Sequence, residues 1–361
     1  MPSVDAPLKA PRSVSAIGGH VFSKTGGMQL AVRRMLEFLE ASGQLKEAFL
    51  RLDKQEDIPS NLSEKIRGFD GDTHAFLVKT GKACFLNAPK LWLCDHVNYG
   101  ALAACLSMPR FRYVIVGYAY EFTLELSAFQ LWALRHATAI VCISEYTKKL
   151  CLNLGVDEKR LHVCHLGVDF DVRPKVPKVS KSLDILFVGR MDESYKGQDH
   201  LVQAVARLKE MFPQVRLHLV GGGKSIPKYE ALAREWGVTD QVDIPGYVSD
   251  AALQNYYANA DIFAMPSQCE GFGFVFVEAM AHHLPCIASN EDAAQEVVEH
   301  GKTGYTLPYG DVDALFESLK VLLEDAALRK SMGVRGFERY QERFTYAAYK
   351  ERFLNLIDSI V

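Results

Sequence analysis

Two glutamates, Glu270 and Glu278, lie in the glycine-rich and apolar stretch CEGFGFVFVEAM, residues 269–280. The run ADIFAMPS before them is typical of a buried strand, so Glu270 is expected in the loop at the strand's carboxyl end. Glu278 falls about one turn into the predicted helix FVFVEAMAHH, whose N-terminus near Phe274 is the positive end of its dipole. Because its helical neighbours are largely apolar, this carboxylate is costly unless it accepts hydrogen bonds. The two hydroxyls of a ribose would donate them; a helix cap or an ion pair is the alternative.

Two cations, Arg190 and Lys196, lie in the loop FVGRMDESYKG, which follows the predicted strand LDILFVG. Glycine lets a phosphate approach the backbone, and the amides of a loop that opens a helix favour anions. The first long helix opens in the same way at Gly26 and Gly27, in TGGMQLAVRRML. Two cations at the carboxyl end of a strand suit a diphosphate. The alternative is that Lys196 is solvated and that Arg190 forms a structural ion pair.

Other motif matches fail on spacing. The segment VGGGKS would need a glycine at position 218 to form a phosphate-binding P-loop, and His218 stands there. No stretch supplies the three glycines of a dinucleotide fingerprint. No group of His, Cys and carboxylate residues has metal-ligand spacing, so the sequence predicts neither a metal nor another cofactor. Two D-x-D triplets could hold a divalent metal. The first, Asp169/Asp171, adjoins a proline-rich segment, and the second, Asp311/Asp313, begins a helix as an N-cap would.

The composition excludes several classes of protein. The net charge is −3, so no global basic field favours nucleic acid. The 8 cysteines form no C-x-x-C pair and lie mostly in apolar runs, which predicts buried, reduced thiols in a cytoplasmic protein. Neither a signal peptide nor a spanning helix is predicted, because no apolar stretch has the required place or length. Arg33 and Arg34 leave peripheral membrane contact of the N-terminal domain as the lesser alternative to a solvated face.

Short apolar runs alternate with helical stretches along the chain. Over 361 residues this alternation predicts right-handed βαβ units in two α/β domains, each with a doubly wound parallel sheet. The segment RPKVPKVSKS has two prolines, four basic residues and no apolar face, which predicts a linker. Ligands of such sheets bind at the carboxyl ends of the strands, so the cleft between the domains is the expected site. The predicted parts are an N-terminal domain over 1–172, a linker over 173–182, a C-terminal domain over 183–340 and a helix over 341–361 that packs back across the linker.

The second half of the chain resembles glycosyltransferase family 4, whose members have the GT-B fold of two facing Rossmann-like domains. The resemblance rests on FVGRMDESYKGQDHLVQAV, on LHLVGGG, on the stretch from VDIPGYVSD through the paired glutamates to CIAS, and on EVVEHGKTGYTLPYGDVDALFESL. The first half matches more loosely, through TGGMQ, ISEYT and HLGVD. The resemblance implies a retaining, metal-independent transfer of a sugar from a nucleoside diphosphate sugar to a glycan or lipid-linked acceptor.

The resemblance also implies roles for single residues. Arg190 and Lys196 would hold the diphosphate, while Glu278 would hold the ribose and Glu270 the donor sugar. Because negative charge builds on the departing diphosphate, fixed cations and amides aimed at it would lower the barrier. The other implied donor-binding positions act through the backbone or allow close approach: Gly26, Gly27, Gly189, Tyr247, Val248, Phe272, Gly273 and Phe274.

The chain departs from the family pattern at the sugar. Many relatives carry a His-Gly pair where this chain has Val116-Gly117, and that histidine usually helps at the sugar. His96, at the end of another predicted strand in LCDHVNYG, is the candidate catalytic substitute, against a purely structural histidine. Glu121 is an acidic candidate near the same position with a different spacing. The Gly-Gly that usually precedes EVV is replaced in EDAAQEVV, so the loop around Glu296 departs as well.

Two alternatives of other kinds remain beside the transferase. One is a nucleotide-sugar epimerase or phosphorylase on the same fold. The other is a donor-binding partner subunit without catalysis, to which the missing histidine at position 116 points. The sequence does not distinguish UDP from GDP, since the base would be contacted mainly by backbone groups, and it names neither the sugar nor the acceptor.

Overall fold

The computed structural model describes residues 14–24, 26–86, 88–106, 112–169, 182–192 and 194–360. These residues divide into two compact units. The first runs to Leu166 and resumes at Tyr349, and the second runs from Gly167 to Ala348. The predicted linker, residues 173–182, lies outside the described residues except for Ser182.

The first unit is built on one seven-stranded sheet in which every neighbouring pair of strands is parallel, in the order β3-β2-β1-β4-β5-β6-β7. All its strands except β3 are predicted by the apolar runs; β3 lies at the sheet edge and is too short to show a period. Alternating helices cover the sheet, as βαβ units require. The strands are β1 Val14–Gly18, β2 Leu45–Leu50, β3 Ile66–Gly68, β4 Leu91–Cys94, β5 Arg112–Gly117, β6 Ala139–Cys142 and β7 Leu161–Val163. The helices are α1 Gly27–Ala41, α2 Thr73–Leu86, α3 Val97–Leu106, α4 Tyr120–Thr123, α5 Ala128–His136 and α6 Glu145–Asn153.

The second unit repeats the plan with six parallel strands in the order β10-β9-β8-β11-β12-β13. All six are predicted by the sequence. The two parallel, doubly wound sheets confirm the predicted α/β class with Rossmann-like halves. The strands are β8 Leu183–Val188, β9 Val215–Val220, β10 Val242–Gly246, β11 Ile262–Met265, β12 Cys286–Ser289 and β13 Gly304–Leu307. The helices are α7 Gln198–Leu208, α8 Ile226–Glu235, α9 Asp250–Asn259, α10 Phe274–Ala281, α11 Ala294–Val297, α12 Val312–Glu324 and α13 Ala326–Arg343, and the last helix of the chain is α14 Tyr346–Ile360.

Helix α1 buries its apolar stripe in the first unit. Phe38 is fully buried and its ring meets that of Tyr349 of α14, with centroids 5.0 Å apart. The guanidinium of Arg33 donates to the Val21 carbonyl, and Arg34 forms an ion pair with Glu37. Most of the apolar side of α1 is therefore covered within the first unit, and both arginines have partners in the chain.

The cysteine prediction is wrong at two positions. All 8 cysteines are present as thiols and six are buried, but Cys105 is exposed and Cys269 is half-buried in the loop beside Glu270. None of the helices that the structure describes has the length and apolar character needed to cross a membrane.

Candidate functional site

In the second unit, the neighbouring strands β8 and β11 form the point at which the strand order reverses. The chain leaves β8 toward β9 on one side and leaves β11 toward β12 on the other. Doubly wound sheets bind ligands outside the carboxyl ends of the strands at such a point. The loops after the two strands are joined there, because the amide of Gln268 donates to the carbonyl of Tyr195 over 2.7 Å.

Gly197 fixes the end of the loop after β8. It has a left-handed conformation with φ +80°, and a Cβ at this position would overlap the carbonyl oxygen of Pro266. Only glycine meets both conditions at low cost. The tight turn sets the preceding Lys196 against the loop that follows β11.

Lys196 and Glu270 form an ion pair, with 2.9 Å between Nζ and Oε2. Their side chains are only 14% and 20% exposed. Burial lowers the pKa of Lys196, but the charge and hydrogen bond of Glu270 outweigh that effect, so the pKa is raised and the ammonium stays charged. The alternative of a solvated Lys196 is therefore wrong, and the structure brings two of the predicted site residues together.

Arg190 follows β8 and is exposed, as a side chain that meets a ligand from solvent would be. Its carbonyl accepts a hydrogen bond from Nε2 of the fully buried Gln198 at 3.3 Å. Among the described residues it takes part in no ion pair, contrary to the alternative of a structural pair. Gly189, one residue earlier, is half-buried.

The glycines of VGGGKS have a packing role instead of the P-loop role that the sequence excludes. A Cβ at Gly221 would overlap the carbonyl of Gly189, and one at Gly223 would overlap the backbone of Met191. Both glycines have positive φ, +144° and +156°. They let the loop after β9 lie directly on the loop after β8, which holds Gly189 in place.

The segment after Glu270 opens helix α10. Phe272 is buried against Phe344 with ring centroids 5.8 Å apart, and Gly273 is the N-cap with φ +89°. The cap provides no side-chain hydrogen bond, so the first amides of α10 are left to other acceptors. Phe274 begins the helix, as predicted.

Glu278 lies in the fifth position of α10, one turn from its start. Burial raises the pKa of its carboxyl to about 7, a hydrogen bond from the Tyr257 hydroxyl lowers it, and the charge of Asp250 raises it. No cation lies within ion-pair distance of it among the residues that the structure describes. The Tyr257 hydroxyl beside this half-buried carboxylate also donates to the carbonyl of Val275 over 3.4 Å, so its one proton is shared. Neither the cap nor the ion-pair alternative applies.

Two functional candidates escaped the sequence analysis, Ser267 and Asp292. Both are fully buried, and the serine hydroxyl donates to Oδ2 of the aspartate over 2.7 Å. The amide of Ala294 donates to Oδ1 over 2.9 Å, and burial raises the pKa of Asp292 to about 7. The amide of the preceding residue, Ala293, donates to the carbonyl of Glu270 over 3.1 Å. The departure EDAAQEVV was the only signal, and its aspartate ties the loop after β12 to the Glu270 loop.

Tyr247 and Val248 follow β10 at the same edge of the sheet. The tyrosine side chain is 77% exposed and the valine is half-buried. In the EVV segment, Glu296 lies in α11 and its carbonyl accepts from Arg339 at 2.8 Å. Neither the exposure of Tyr247 and Val248 nor the bond from Arg339 to Glu296 assigns a chemical role to these residues.

The first unit has its own reversal point between β1 and β4, with a cavity of about 270 Å³ at the carboxyl ends of these strands. His96 lines it; burial lowers the pKa of its ring, and its Nδ1 accepts from the amide of Asn98 at 3.2 Å. Gly26 and Gly27 are exposed at the start of α1, where Gly26 is an N-cap without a side chain. The structure therefore places these three predicted residues on the first unit.

Val116 is fully buried inside β5 and has no polar atom to offer in its side chain. Glu121 is buried too, and burial raises the pKa of its carboxyl to about 7. One of its oxygens accepts from the amide of Tyr118 at 2.7 Å, while Ala119 between them has φ +95°. Glu121 therefore stabilises a strained turn at the end of β5.

The D-x-D triplets have structural partners. Asp311 caps α12 by accepting from the Ala314 amide at 2.9 Å, and Asp313 pairs with Arg207. Asp169 accepts from the Tyr346 amide at 3.0 Å, and Asp171 lies outside the described residues. Within the described ranges, no three His, Cys, Asp or Glu side chains are grouped as metal ligands.

Comparison with known proteins finds similarity between the second unit and sugar-transferring enzymes. Residues 169–339 match the family described as glycosyl transferases group 1. The chain is 37% identical over 150 residues to the GDP-mannose-dependent alpha-(1-6)-phosphatidylinositol monomannoside mannosyltransferase of Mycobacterium tuberculosis, covering 40% of this chain and 39% of that protein. It is 31% identical over 185 residues to the phosphatidyl-myo-inositol mannosyltransferase of Mycobacterium leprae, covering 51% and 48%. The matches thus span less than half the length of these curated relatives.

Solved structures share the whole fold at low identity. The sucrose-phosphate synthase of Thermosynechococcus elongatus has a TM-score of 0.80 and 22% identity, with 97% of this chain and 99% of that chain covered. Anabaena HepE, in complex with UDP, has a TM-score of 0.82 and 19% identity, with 96% and 100% covered. These likenesses confirm the predicted GT-B fold.

Proposed function

We propose that this chain, whose residues 169–339 match the glycosyl transferases group 1, transfers a hexosyl unit from a UDP- or GDP-sugar to a glycan or lipid-linked acceptor. The observation that carries the proposal is the buried pair of Lys196 and Glu270 at the reversal point of the second sheet, next to the uncapped start of α10. A cation and helix amides at one such place suit a diphosphate, and a carboxylate beside them suits the hydroxyls of a sugar.

The proposed reaction retains the configuration of the anomeric carbon and needs no metal. The oxygen of an acceptor hydroxyl forms a bond to the anomeric carbon on the same face from which the donor's bond to the β-phosphate oxygen breaks. The electron pair of the broken bond goes to the nucleoside diphosphate, and the hydroxyl proton goes to the departing phosphate oxygen. Arg190 and Lys196 stabilise the charge that builds on that diphosphate.

Glu270 has two tasks in this proposal. Without donor it holds the Lys196 ammonium in place through the ion pair. With donor, the phosphate shares that ammonium, and the carboxylate accepts from hydroxyls of the donor sugar, with the amides of Phe272, Gly273 and Phe274 nearby. A pre-positioned cation needs little reorganisation at the moment of bond breaking.

Glu278 is proposed to accept from the ribose hydroxyls. Among the described residues its one neighbouring donor, the Tyr257 hydroxyl, is shared with the Val275 carbonyl, which leaves acceptor capacity on a carboxylate that burial destabilises. The loop with Tyr247 and Val248 would contact the base, Gly189 would let the diphosphate approach the β8 loop, and Gly26 and Gly27 would offer amides to phosphate from the first unit. His96 is proposed to act at the sugar in place of the histidine that Val116 replaces.

The relatives support a nucleotide-sugar donor and a polyol-containing acceptor. One is named as GDP-mannose-dependent with a phosphatidylinositol monomannoside acceptor, and HepE is described with UDP. We propose the cytoplasm as the site of the reaction, since the reduced cysteines suit that compartment.

A thermal-shift screen of nucleotides and nucleotide sugars, followed by turnover assays with the ligands that bind, tests the proposal. We expect a UDP or GDP compound to raise the melting temperature and its sugar to appear on an acceptor. Formation of an epimer or a sugar phosphate would support the epimerase or phosphorylase instead. Tight binding with no turnover on any acceptor would support the non-catalytic partner subunit.

A further inference from the structure

His218 of β9 lies between two carboxylates in the second unit. Its Nε2 is 2.9 Å from Oδ1 of Asp184 in β8, and its Nδ1 is 3.0 Å from Oδ2 of Asp243 in β10. A neutral imidazole has a single N–H, and its other nitrogen would present a lone pair to a carboxylate. Only the doubly protonated ring donates on both sides, so the geometry favours an imidazolium that joins three neighbouring strands.

The surroundings of His218 are shielded enough for its charge to matter. The side chains of His218 and Asp184 are 22% and 12% exposed, whereas that of Asp243, at the sheet edge, is 50% exposed. Burial lowers the pKa of the imidazole, but the hydrogen bonds and charges of the two aspartates outweigh that effect and raise it above its ordinary value of 6.5. The arginine of the same strand, Arg216, donates to the carbonyl of Val215 over 2.8 Å. The imidazole therefore keeps its second proton to a higher pH than a free histidine does.

Two further titratable groups lie next to this cluster on other elements. The hydroxyl of Tyr256 in α9 donates to Oδ2 of Asp243 over 3.3 Å, and its ring centroid is 5.4 Å from that of His218. Burial and the charge of Asp243 raise the pKa of this hydroxyl, so it stays neutral. The carboxylate of Asp261, which follows α9, accepts from the amide of Asp184 over 2.9 Å. Histidine is the side chain among these whose ordinary pKa lies near neutrality.

The edge strand β10 has a weak ladder of its own. It contains Pro245, which has no N–H to donate. Its register with β9 is irregular between Asp243 and Gly246. Tyr247 and Val248 follow it directly, so whatever holds β10 also anchors the loop that is proposed to contact the nucleotide base.

We propose that His218, Asp184 and Asp243 form a pH-sensitive clamp, the His218 clamp, which holds β10 to the sheet while the imidazole carries both protons. Loss of one proton turns a lone pair toward a carboxylate, so one of the two contacts is lost. Asp243 is the more exposed partner and is the one released, and β10 then loosens together with the loop after it. The consequence for nucleotide affinity rests on the proposed function, whereas the clamp itself does not.

The His218 clamp makes the free energy of unfolding of the second unit fall as the pH rises. Because the pKa of His218 is raised in the folded state, that state binds the proton more tightly than the unfolded state. The contribution of the clamp is fully present below about pH 6.5, the ordinary pKa of histidine, and is lost as the pH rises through the raised value. Asp292 acts in the same direction, so a variant of the clamp is needed to separate the two.

Asp243→Asn frees the clamp from its need for a second proton. The asparagine amide donates to Nδ1 of a neutral ring that still donates through Nε2 to Asp184, so both contacts survive above neutral pH. The melting temperature of this variant relative to that of the wild type should therefore increase as the pH rises from 6 to 9. Asp240→Asn, at an exposed aspartate just before β10, is the matched control and should keep a constant difference. A constant difference for Asp243→Asn as well would overturn the proposal.

Nuclear magnetic resonance of the isotope-labelled full chain reports the protonation of the ring directly. His218→Gln identifies the signals of His218 by their disappearance. The titration midpoint of the ring should lie above pH 6.5 in the wild type and lower in Asp243→Asn, which lacks one of the two neighbouring charges. A wild-type midpoint at or below 6.5 would contradict the clamp, whatever the variants do to stability.

Hydrogen exchange followed by mass spectrometry locates the loosening. After correction for the intrinsic pH dependence, peptides over residues 242–248 of the wild type should exchange about two- to fivefold faster at pH 8.5 than at pH 6.5, as expected for a partly exposed ion pair. The same peptides of Asp243→Asn, and peptides from β12 in both proteins, should change less. Equal changes in residues 242–248 and in β12 would overturn the assignment of the clamp to β10.

Calorimetry with UDP and GDP tests the consequence for the nucleotide. The ratio of the wild-type Kd to the Asp243→Asn Kd should rise by about two- to fivefold between pH 6.5 and pH 8.5. This ratio cancels the contributions of Glu278 and Asp292, which both proteins keep. A constant ratio would overturn the link to the nucleotide and leave the proposed function intact. Failure of both nucleotides to bind either protein would count against the proposed function, while hydrogen exchange would still decide the clamp.

Discussion

The ammonium of Lys196 and the carboxylate of Glu270 lie 2.9 Å apart, although 74 positions separate them in the chain. The turn at Gly197 sets one residue and the loop after β11 carries the other. The pair is largely shielded from water, so breaking it on one side leaves an uncompensated charge.

Replacing Lys196 with Met should lower kcat by on the order of 10²–10³-fold, the usual effect of removing one donor that stabilises transition-state charge. Donor affinity should fall much less, because Arg190 and Glu278 remain. Steady-state kinetics and donor titration measure the two effects. Lys330→Met, at an exposed lysine of α13, is the control and should behave as wild type. A Lys196→Met enzyme with normal kcat would contradict the assignment.

The double variant Lys196→Met/Glu270→Gln tests the pair itself. Removing both charges should recover part of the stability that Lys196→Met loses, since no buried charge is left unpaired. It should not recover kcat, because the cation is still missing. A melting curve and a kinetic assay on the four members of the cycle give both answers, and strictly additive melting temperatures would mean that the two side chains do not couple.

Glu278→Gln should weaken donor binding by about tenfold through loss of a charged acceptor, which a donor titration measures.

Donor binding should also release a proton from Glu278. The pKa of Glu278 without ligand is about 7, and hydroxyl donors favour the charged carboxylate, so nucleotide binding near pH 6.5 should release a proton. Calorimetry in two buffers of different ionisation enthalpy measures this release. Glu278→Gln should abolish it and the exposed control Glu317→Gln should not; a buffer-independent heat in the wild type would contradict the ribose assignment.

Asp292 should make stability fall with rising pH. Burial raises the pKa of its carboxyl to about 7, well above its ordinary value of 3.8, so the folded state binds the proton more tightly than the unfolded state. Its contribution is therefore fully present below about pH 4 and is lost as pH rises to 7. Asp292→Asn keeps an acceptor for the Ala294 amide and removes the titration. The melting temperature of this variant relative to that of the wild type should therefore increase as the pH rises from 5 to 8. An unchanged difference across that window would show that Asp292 does not titrate as stated.

Gly197→Ala should destabilise the second unit and impair turnover. The alanine would have to adopt a left-handed backbone conformation, and its Cβ would overlap the Pro266 carbonyl. Gly43→Ala is the matched control: φ is +71° there, but a Cβ would have nothing within 4 Å. The control should cost about 1–2 kcal/mol from backbone conformation alone. The Gly197 variant should cost more and should also lower kcat through displacement of Lys196. Equal melting temperatures in the two variants would contradict the predicted overlap of the new Cβ with the Pro266 carbonyl.

The alternation of apolar runs and helical stretches determined the fold class, because parallel strands buried on both faces need continuous apolar segments. It indicated twelve of the thirteen described strands and missed β3, whose three residues at a sheet edge carry no period. The loop positions of Arg190, Lys196 and Glu270 followed from the same pattern, because a residue after an apolar run lies at a strand's carboxyl end.

The partners of these residues were not available from the sequence. Lys196 pairs with Glu270, and Ser267 donates to Asp292, across segments that are distant along the chain. Which strands become neighbours decides such contacts, and strand order depends on the packing of the whole sheet. The sequence by itself thus determined what kind of side chain ends each strand, and the tertiary structure decided which of them meet and how deeply they are buried, because distance and desolvation are properties of the packed chain.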